Sequence, residues 1–180
     1  MEITKYGHCC VLIETKGKRI LTDPGAFSRG HQDLTNIDLV LITHEHGDHL
    51  HVESLRYILA NNPDAQVVSN ESVGQLLADA DIPHTCVAHE ETREIGDLTL
   101  KAYDGTHVEI FEDYGLVQNT GFLLDTRLFY PGDAYTIPKE AVDLLALPVA
   151  GPWCKVADAI RYAIELEPKR SLPVQDATLS

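Results

Sequence analysis

The stretch "LVLITHEHGDHLH", residues 39–51, places four of the chain's nine histidines directly behind a run of apolar residues. The run "IDLVLIT", residues 37–43, is typical of a strand that is buried on both faces of a sheet. The helical spacing of Val52, Leu55 and Leu59 predicts a helix after the loop. Because open α/β sheets bind ligands at the carboxyl ends of their strands, the stretch predicts an α/β fold with a functional site in this loop.

Size and composition predict one globular domain with a small-molecule partner. The 180 residues are 44% apolar and 23% charged, which is ordinary for a single domain. No apolar window approaches the length of a membrane span, so no membrane partner is expected. The start "MEITKYGHCC" lacks the layout of a secretory signal, which predicts a cytoplasmic location. The net charge of −14 repels polyanions and argues against nucleic acid as a partner.

The four cysteines, at positions 9, 10, 86 and 154, show neither a disulfide framework nor a C-x-x-C pair. We therefore expect free thiols that pack as small buried hydrophobic side chains. A redox site or a zinc knuckle is not predicted from this spacing.

Two hairpins with related sequences hint at two similar halves. "CVLIETKGKRILTDPG" turns at Lys16-Gly17, and "GFLLDTRLFYPGD" also joins two apolar strands and runs into a turn with Pro, Gly and Asp. No linker separates the halves, so the chain is not divided into domains. Asn70 is the predicted cap of a helix. A last helix is predicted from a one-sided apolar stripe formed by Val156, Ala159, Ile160, Ala163 and Ile164.

The histidine-rich loop is predicted to bind metal ions. His44, His46, Asp48 and His49 form an H-x-H-x-D-H pattern, and imidazole nitrogen and carboxylate oxygen suit zinc, manganese or iron. The alternative is a polar turn whose imidazoles only form hydrogen bonds. Ligands so close in sequence cannot all reach one ion, which implies two neighbouring metals. The remaining ligands should follow other strands, and His107 and Asp133 are the candidates.

In these motifs the chain resembles the metallo-β-lactamase superfamily. The resemblance rests on "DP" at 23–24, "THEHGDH" at 43–49, "GTH" at 105–107 and "YPGDA" at 130–134, in the order of the superfamily. The opening "ITKYGHCCVLIETKGKRILTDP" looks most similar to small bacterial metal-dependent hydrolases related to ascorbate-6-phosphate lactonase. The resemblance implies a four-layer αββα sandwich formed by residues 1–180.

The resemblance also implies a role for each motif residue. One divalent metal would be bound by His44, His46 and His107, the second by Asp48 and His49, and Asp133 would bridge the two. Zinc is the default metal, with manganese or iron as alternatives.

Two further residues are expected near the metals without binding them. Asp23 would hold the histidine loop in place, or would be only a turn residue before a proline. His8 matches a histidine near the mouth of the site, where it would touch substrate, or it would simply cap a strand. The four other histidines, His31, His51, His84 and His89, are expected on the surface or in loops.

One ligand position departs from the superfamily pattern. The resemblance predicts histidine at the tip of the last strand, as in "PVHD", but this chain has "PVQD" with Gln175. Three outcomes stay open: weak coordination by the amide oxygen, water in its place, or an empty second site. The chain ends five residues later, where relatives commonly add a segment, so truncation is one expectation. A sheet face near Leu172 and Val174 could then support a homo-oligomer.

The expected function is a metal-dependent hydrolase that uses metal-bound hydroxide on a small anionic ester, lactone or phosphodiester. Asp48 and Asp133 are the candidate catalytic carboxylates, and Trp153 lies in a loop where packing and substrate binding are both open. The alternative is a weakened or inactive metal-binding or sensing protein on the same scaffold, because of Gln175. The acidity of the chain argues against a nuclease, and the missing export signal argues against β-lactam hydrolysis.

Overall fold

The chain forms two compact units, each built around one mixed β-sheet. The computed structural model describes residues 1–179. Unit 1 is Met1–Val87 and unit 2 is Ala88–Ser180. None of the helices in the described residues is long and apolar enough to span a bilayer.

The sheet of unit 1 has six strands, which lie side by side in the order of the sequence. They are β1 (Glu2–Lys5), β2 (Val11–Thr15), β3 (Lys18–Thr22), β4 (Leu39–Leu41), β5 (Gln66–Ser69) and β6 (Thr85–Cys86). The first three strands are antiparallel, and β3 to β6 run parallel. The predicted hairpin between β2 and β3 is confirmed. Its two turn residues, Lys16 and Gly17, have φ of +49° and +71°, as the tightest hairpin turns require.

Two helices make two of the three parallel crossovers of unit 1. Helix α1 (Val52–Asn61) joins β4 to β5, and α2 (Glu71–Asp79) joins β5 to β6. Asn70 caps α2 as predicted, because its side chain accepts a hydrogen bond from the backbone N–H of Val73. The apolar helix faces and one sheet face form a common core, whose buried members are Cys10, Leu12, Leu21, Ile37, Val40, Ile42, Leu50, Leu55, Ile58, Val67, Val73, Leu77 and Ile82.

The sheet of unit 2 follows the same plan. Its strands are β7 (Thr92–Ile95), β8 (Leu98–Thr106), β9 (Gln118–Leu124), β10 (Leu128–Tyr130), β11 (Leu144–Pro148) and β12 (Arg170–Val174), again in sequence order. The strands from β7 to β10 are antiparallel, and β10, β11 and β12 are parallel. Helix α3 (Val156–Leu166) connects β11 to β12, and a short 3-10 helix covers Ala177–Leu179. The core contains Tyr103, Leu123, Phe129, Val142, Leu145 and Tyr162.

The orientation of α3 differs from the predicted one. Ala159 and Tyr162 are buried, whereas Val156, Ile160 and Ile164 are 67%, 53% and 68% exposed. The Tyr162 hydroxyl donates a hydrogen bond to the Thr136 carbonyl at 2.6 Å, and its ring belongs to the core. A buried aromatic ring removes more apolar surface from water than an isoleucine does, so the helix packs on Tyr162.

Candidate metal centre

The histidine loop, residues 43–49, follows β4 and is held at its first residue. Thr43 donates two hydrogen bonds to Asp23, from its N–H to Oδ1 and from its hydroxyl to Oδ2, both at 2.8 Å. Asp23 is fully buried and has a φ of +38°, a left-handed conformation that is strained for a non-glycine residue. The expected role of Asp23 in holding this loop matches these contacts.

The same two residues orient two histidine rings of the loop. The His49 Nδ1–H donates to Asp23 Oδ2 at 2.7 Å, and the Thr43 hydroxyl oxygen accepts from His44 Nδ1–H at 2.9 Å. Both rings are fully buried. Because Nδ1 carries the proton in each ring, the lone pair lies on Nε2, which is then the metal-binding nitrogen.

The rest of the loop folds into a tight turn that gathers its side chains. The His46 carbonyl accepts from the N–H of His49 at 2.9 Å and of Leu50 at 2.8 Å. The ring centroid of His44 lies 4.8 Å from that of His46 and 3.9 Å from that of His49. The Asp48 side chain is 23% exposed, so water reaches its carboxylate.

His8 belongs to this cluster through a contact with Asp48. Its Nε2 lies 2.9 Å from Asp48 Oδ2, and the His49 Nε2 lies 3.8 Å from the same oxygen. One donor atom each from His8, Cys9 and His49 lie within 4.8 Å of one another, and all three residues are buried. The side chain of His8 is thus engaged with a candidate metal ligand, and a simple strand cap does not describe it.

Unit 2 brings His107 and Asp133 together at the ends of β8 and β10, the two strands that flank β9. His107 follows β8, and its Nδ1–H donates to the Val108 carbonyl at 2.5 Å. Asp133 follows β10, and its Oδ2 lies 3.4 Å from the His107 Nε2. Both side chains are buried. His107 therefore repeats the arrangement of His44 and His49, with Nδ1 bonded inside the protein and the lone pair on Nε2.

Two donors hold the carboxylate of Asp133. Trp153 Nε1–H donates to its Oδ2 at 2.9 Å, and Gln175 Nε2–H donates to the same oxygen at 2.5 Å. The Asn119 side chain fixes the preceding turn, since it accepts from the Asp133 N–H at 3.0 Å and donates to the Pro131 carbonyl at 2.8 Å. Trp153 is 6% exposed, so it both packs in unit 2 and contacts a predicted site residue.

Sequence reasoning missed some residues of the site and the burial of one histidine. Thr43 and Asn119 were not predicted; Thr43 stands directly before the histidine motif, whereas Asn119 has no local signal. His31 was predicted at the surface or in a loop; it lies in the loop between β3 and β4, and there it is fully buried. Among the described residues, neither of its ring nitrogens has a hydrogen-bond partner. Burial, and then the nearby His51, lower the pKa of His31 below its ordinary value of 6.5.

The cysteines are free, as predicted. Cys9 and Cys10 are buried, Cys154 is half-buried and Cys86 is exposed, so the expectation of burial was wrong for Cys86. Burial, and then the Asp23 carboxylate, raise the pKa of the Cys10 thiol well above its ordinary value. Burial also raises the pKa of Cys154. These two groups are therefore protonated and unreactive at neutral pH.

Comparisons with known proteins identify the family of the chain. Residues 2–175 match the family described as the beta-lactamase superfamily domain. The protein Rv0786c of Mycobacterium tuberculosis is 34% identical over 185 residues, which cover 100% of this chain and 86% of that protein. A UPF0173 protein of Pyrococcus abyssi is 33% identical over 189 residues, with coverage of 99% and 84%. The chain therefore belongs to the metallo-β-lactamase superfamily.

Solved structures confirm the predicted fold class. Igni18, a metallo hydrolase from Ignicoccus hospitalis, superposes with a TM-score of 0.75 at 20% identity, over 96% of this chain and 81% of that one. The metallo-β-lactamase fold protein YhfI from Bacillus subtilis gives 0.70 at 13% identity, over 96% and 85%. At these identities the similarity defines the fold, and function has to be argued from the site.

Proposed function

We propose that this protein is a metal-dependent hydrolase acting on a small anionic ester, lactone or phosphodiester. The observation that carries the proposal is the shared orientation of three buried histidines. His44, His49 and His107 each bond Nδ1 inside the protein, which leaves Nε2 as the donor. Burying an imidazole costs free energy unless its polar atoms are satisfied. A metal site requires buried imidazoles in this shared orientation, whereas a polar turn without a metal does not.

The donor chemistry fits two divalent ions. We assign His44, His46 and His107 to the first metal, Asp48 and His49 to the second, and Asp133 to both. Imidazole nitrogen and carboxylate oxygen suit zinc, manganese and iron, and zinc is the default in this proposal. A UPF0173 relative from Flavobacterium johnsoniae, 31% identical over 182 residues, is named a metal-dependent hydrolase, which supports the same activity here.

The bound metals would supply Lewis acidity, polarising a substrate oxygen and lowering the pKa of a water molecule toward neutrality. The protein's own groups provide orientation and charge. Asp133 receives two hydrogen bonds on Oδ2, which stabilise it as an anion inside unit 2. Asp48 is partly open to water and therefore suited to accept a proton at its carboxylate.

The net charge of −14 affects where on the protein an anionic substrate is attracted. A small anion meets a repulsive field over most of such a surface, and bound cations are the natural source of local attraction. We therefore place the substrate's anionic group at the metals, and nucleic acid is not proposed as a partner. A cytoplasmic location remains part of the proposal.

The test combines metal analysis with hydrolysis assays. The full chain, purified without chelators, should contain divalent metal and should hydrolyse a generic phosphodiester or lactone. Chelation should abolish turnover, and added metal should restore it. Substituting His44→Ala or Asp133→Asn should lower kcat/KM by at least about 1,000-fold, because Lewis acidity contributes several kcal/mol.

The matched control is His89→Ala, which removes an exposed histidine that is not among the proposed ligands. It should keep both metal content and rate. Chelator-resistant hydrolysis, or full activity in His44→Ala, would contradict the proposal.

One observation favours a second candidate function. Gln175 stands where the resemblance predicts a histidine ligand, so the same scaffold could bind metal as a sensor without turnover. Stable metal binding together with no hydrolysis of any substrate class would support the sensor over the hydrolase.

A further inference from the structure

The contact between His8 and the histidine loop suggests a ligand that the superfamily pattern does not include. We propose that His8 is a ligand of the second metal and takes the role of the histidine expected at position 175. The proposal rests on the proposed function, because it assumes that Asp48 and His49 bind this metal. All three residues belong to unit 1.

Gln175 is engaged in a different way. Its side chain is buried, and its amide nitrogen donates to Asp133 Oδ2 at 2.5 Å. A carboxylate only accepts hydrogen bonds, so the NH₂ group must face it. An amide nitrogen is not a metal ligand in this state, and Gln175 thus acts as a hydrogen-bond donor. Gln175 supplies no imidazole to the second metal, and the proposal gives that place to another nitrogen donor.

The spacing of the donor atoms fits a shared ion. Two ligands about 2.1 Å from a tetrahedral metal lie about 3.4 Å apart. His8 Nε2 lies 2.9 Å from Asp48 Oδ2, which is shorter than this ligand–ligand distance. His49 Nε2 lies 3.8 Å from the same oxygen, which is longer. Small side-chain rotations therefore bring all three atoms to coordinating distance. Binding through Nε2 would require the His8 proton to be on Nδ1, so the hydrogen bond from Nε2 to Asp48 would be lost.

The backbone at His8 has a strained conformation that fixes the position of its side chain. Its φ is +48°, in the left-handed region, and Gly7 before it has a φ of +95°. The turn is fixed on both sides, since the Gly7 carbonyl accepts from the Ser28 hydroxyl at 3.1 Å and the Cys10 N–H at 3.0 Å. Strain of this kind persists where a side chain must occupy a defined position.

Cys9 is the neighbouring alternative within the same cluster. Its thiol could approach His8 and His49, because their donor atoms lie within 4.8 Å of one another. A thiolate ligand would give an intense near-ultraviolet charge-transfer band with cobalt, whereas an imidazole would not. The two possibilities are therefore separable by spectroscopy.

The experiment titrates the metal-free full chain with zinc and with cobalt. The wild type should bind about two equivalents. In His8→Ala the affinity for the second equivalent should fall by more than about 100-fold, beyond the 10- to 100-fold expected if His8 only hydrogen-bonded a ligand. Both Cys9→Ser and the control His89→Ala should bind two equivalents, and the cobalt protein should lack the thiolate band.

A measurement on the wild-type protein tests the same assignment even if the His8→Ala variant misfolds. With ¹⁵N-labelled histidine in the wild type, the second equivalent of zinc should move the His8 Nε2 resonance to a metal-bound shift. An unmoved resonance, a loss of 100-fold or less in His8→Ala, or loss of the second metal in Cys9→Ser would each overturn the assignment. A wild type that binds no metal would instead refute the proposed function.

Discussion

Gly25 is a residue at which the turn after β3 packs directly against the backbone of the histidine loop. The N–H of Ala26 donates to the Gly47 carbonyl at 2.9 Å. A Cβ added to Gly25 would lie 1.8 Å from the Asp48 carbonyl oxygen and 2.5 Å from the His49 nitrogen. Both are backbone atoms, so the loop itself would have to move.

Gly25→Ala is therefore expected to lower the free energy of unfolding by about 1–3 kcal/mol, the usual effect of overpacking, and to reduce metal content. Gly47→Ala is the matched control within the loop, because nothing lies within 4 Å of its added Cβ. Chemical denaturation and elemental analysis of the two variants measure both effects. Equal behaviour of the two alanine variants would show that the close approach is not a constraint.

His31 makes unit 1 sensitive to acid. Its pKa is lowered in the folded state by burial and by His51, whereas in the unfolded chain it titrates near 6.5. Below that pH the unfolded state binds a proton that the folded state does not bind. His31 therefore reduces stability as the pH falls below about 6.5, and its effect is absent at higher pH.

His31→Phe keeps a ring of similar size without the buried nitrogens, so it should weaken the loss of stability between pH 7.5 and pH 5.5. Urea denaturation of the metal-free protein at both values measures the difference. His89→Phe, at an exposed site, should leave the pH dependence unchanged. A wild-type pH profile in the His31 variant would rule out this source of acid sensitivity.

At the level of elements, one side chain connects helix α2 to the strand that leads into the metal centre. Asn70 accepts from the Val73 N–H at 3.0 Å and donates from Nδ2 to the Thr43 carbonyl at 2.8 Å. It is fully buried, so both contacts are shielded from water. The start of α2 and the start of the histidine loop are therefore held by the same residue.

Asn70→Ala should lower the free energy of unfolding by about 2–4 kcal/mol. The lost cap contributes about 1 kcal/mol, and the unsatisfied Thr43 carbonyl contributes the rest. Asn70→Asp keeps the oxygen that caps α2 but lacks the amide N–H that donates to the Thr43 carbonyl. Chemical denaturation of the two variants should therefore measure the cap and the Thr43 hydrogen bond separately. If the aspartate variant is as stable as the wild type, the bond to Thr43 is unimportant.

The elements that sequence could predict are those with local causes. The β2–β3 hairpin follows from two turn residues, and the cap of α2 follows from Asn70. The rotation of α3 could not be predicted, because the stripe of Val156, Ile160 and Ile164 has the same helical period as the face around Tyr162. Only the packing of Tyr162 on unit 2 decides which face is buried.

For the molecule as a whole, the motifs predict that the histidines gather but not the contacts that they make. His44, His46 and His49 stand in one recognisable pattern, and they do gather in the structure. The partner of His8, in contrast, lies 40 residues away, so no local pattern could reveal it. The burial of His31 likewise depends on tertiary packing. Long-range pairing is the part of the fold that one sequence leaves open.

The order of the strands has a consequence for how the chain is made. In both sheets each strand lies beside the strands that precede and follow it in the sequence. During synthesis an emerging strand therefore meets a partner that has already left the ribosome. Translation adds about 5–20 residues per second, so unit 1 has on the order of ten seconds while unit 2 is translated. The topology thus permits vectorial folding, with the histidine loop in place before Asp133 is translated.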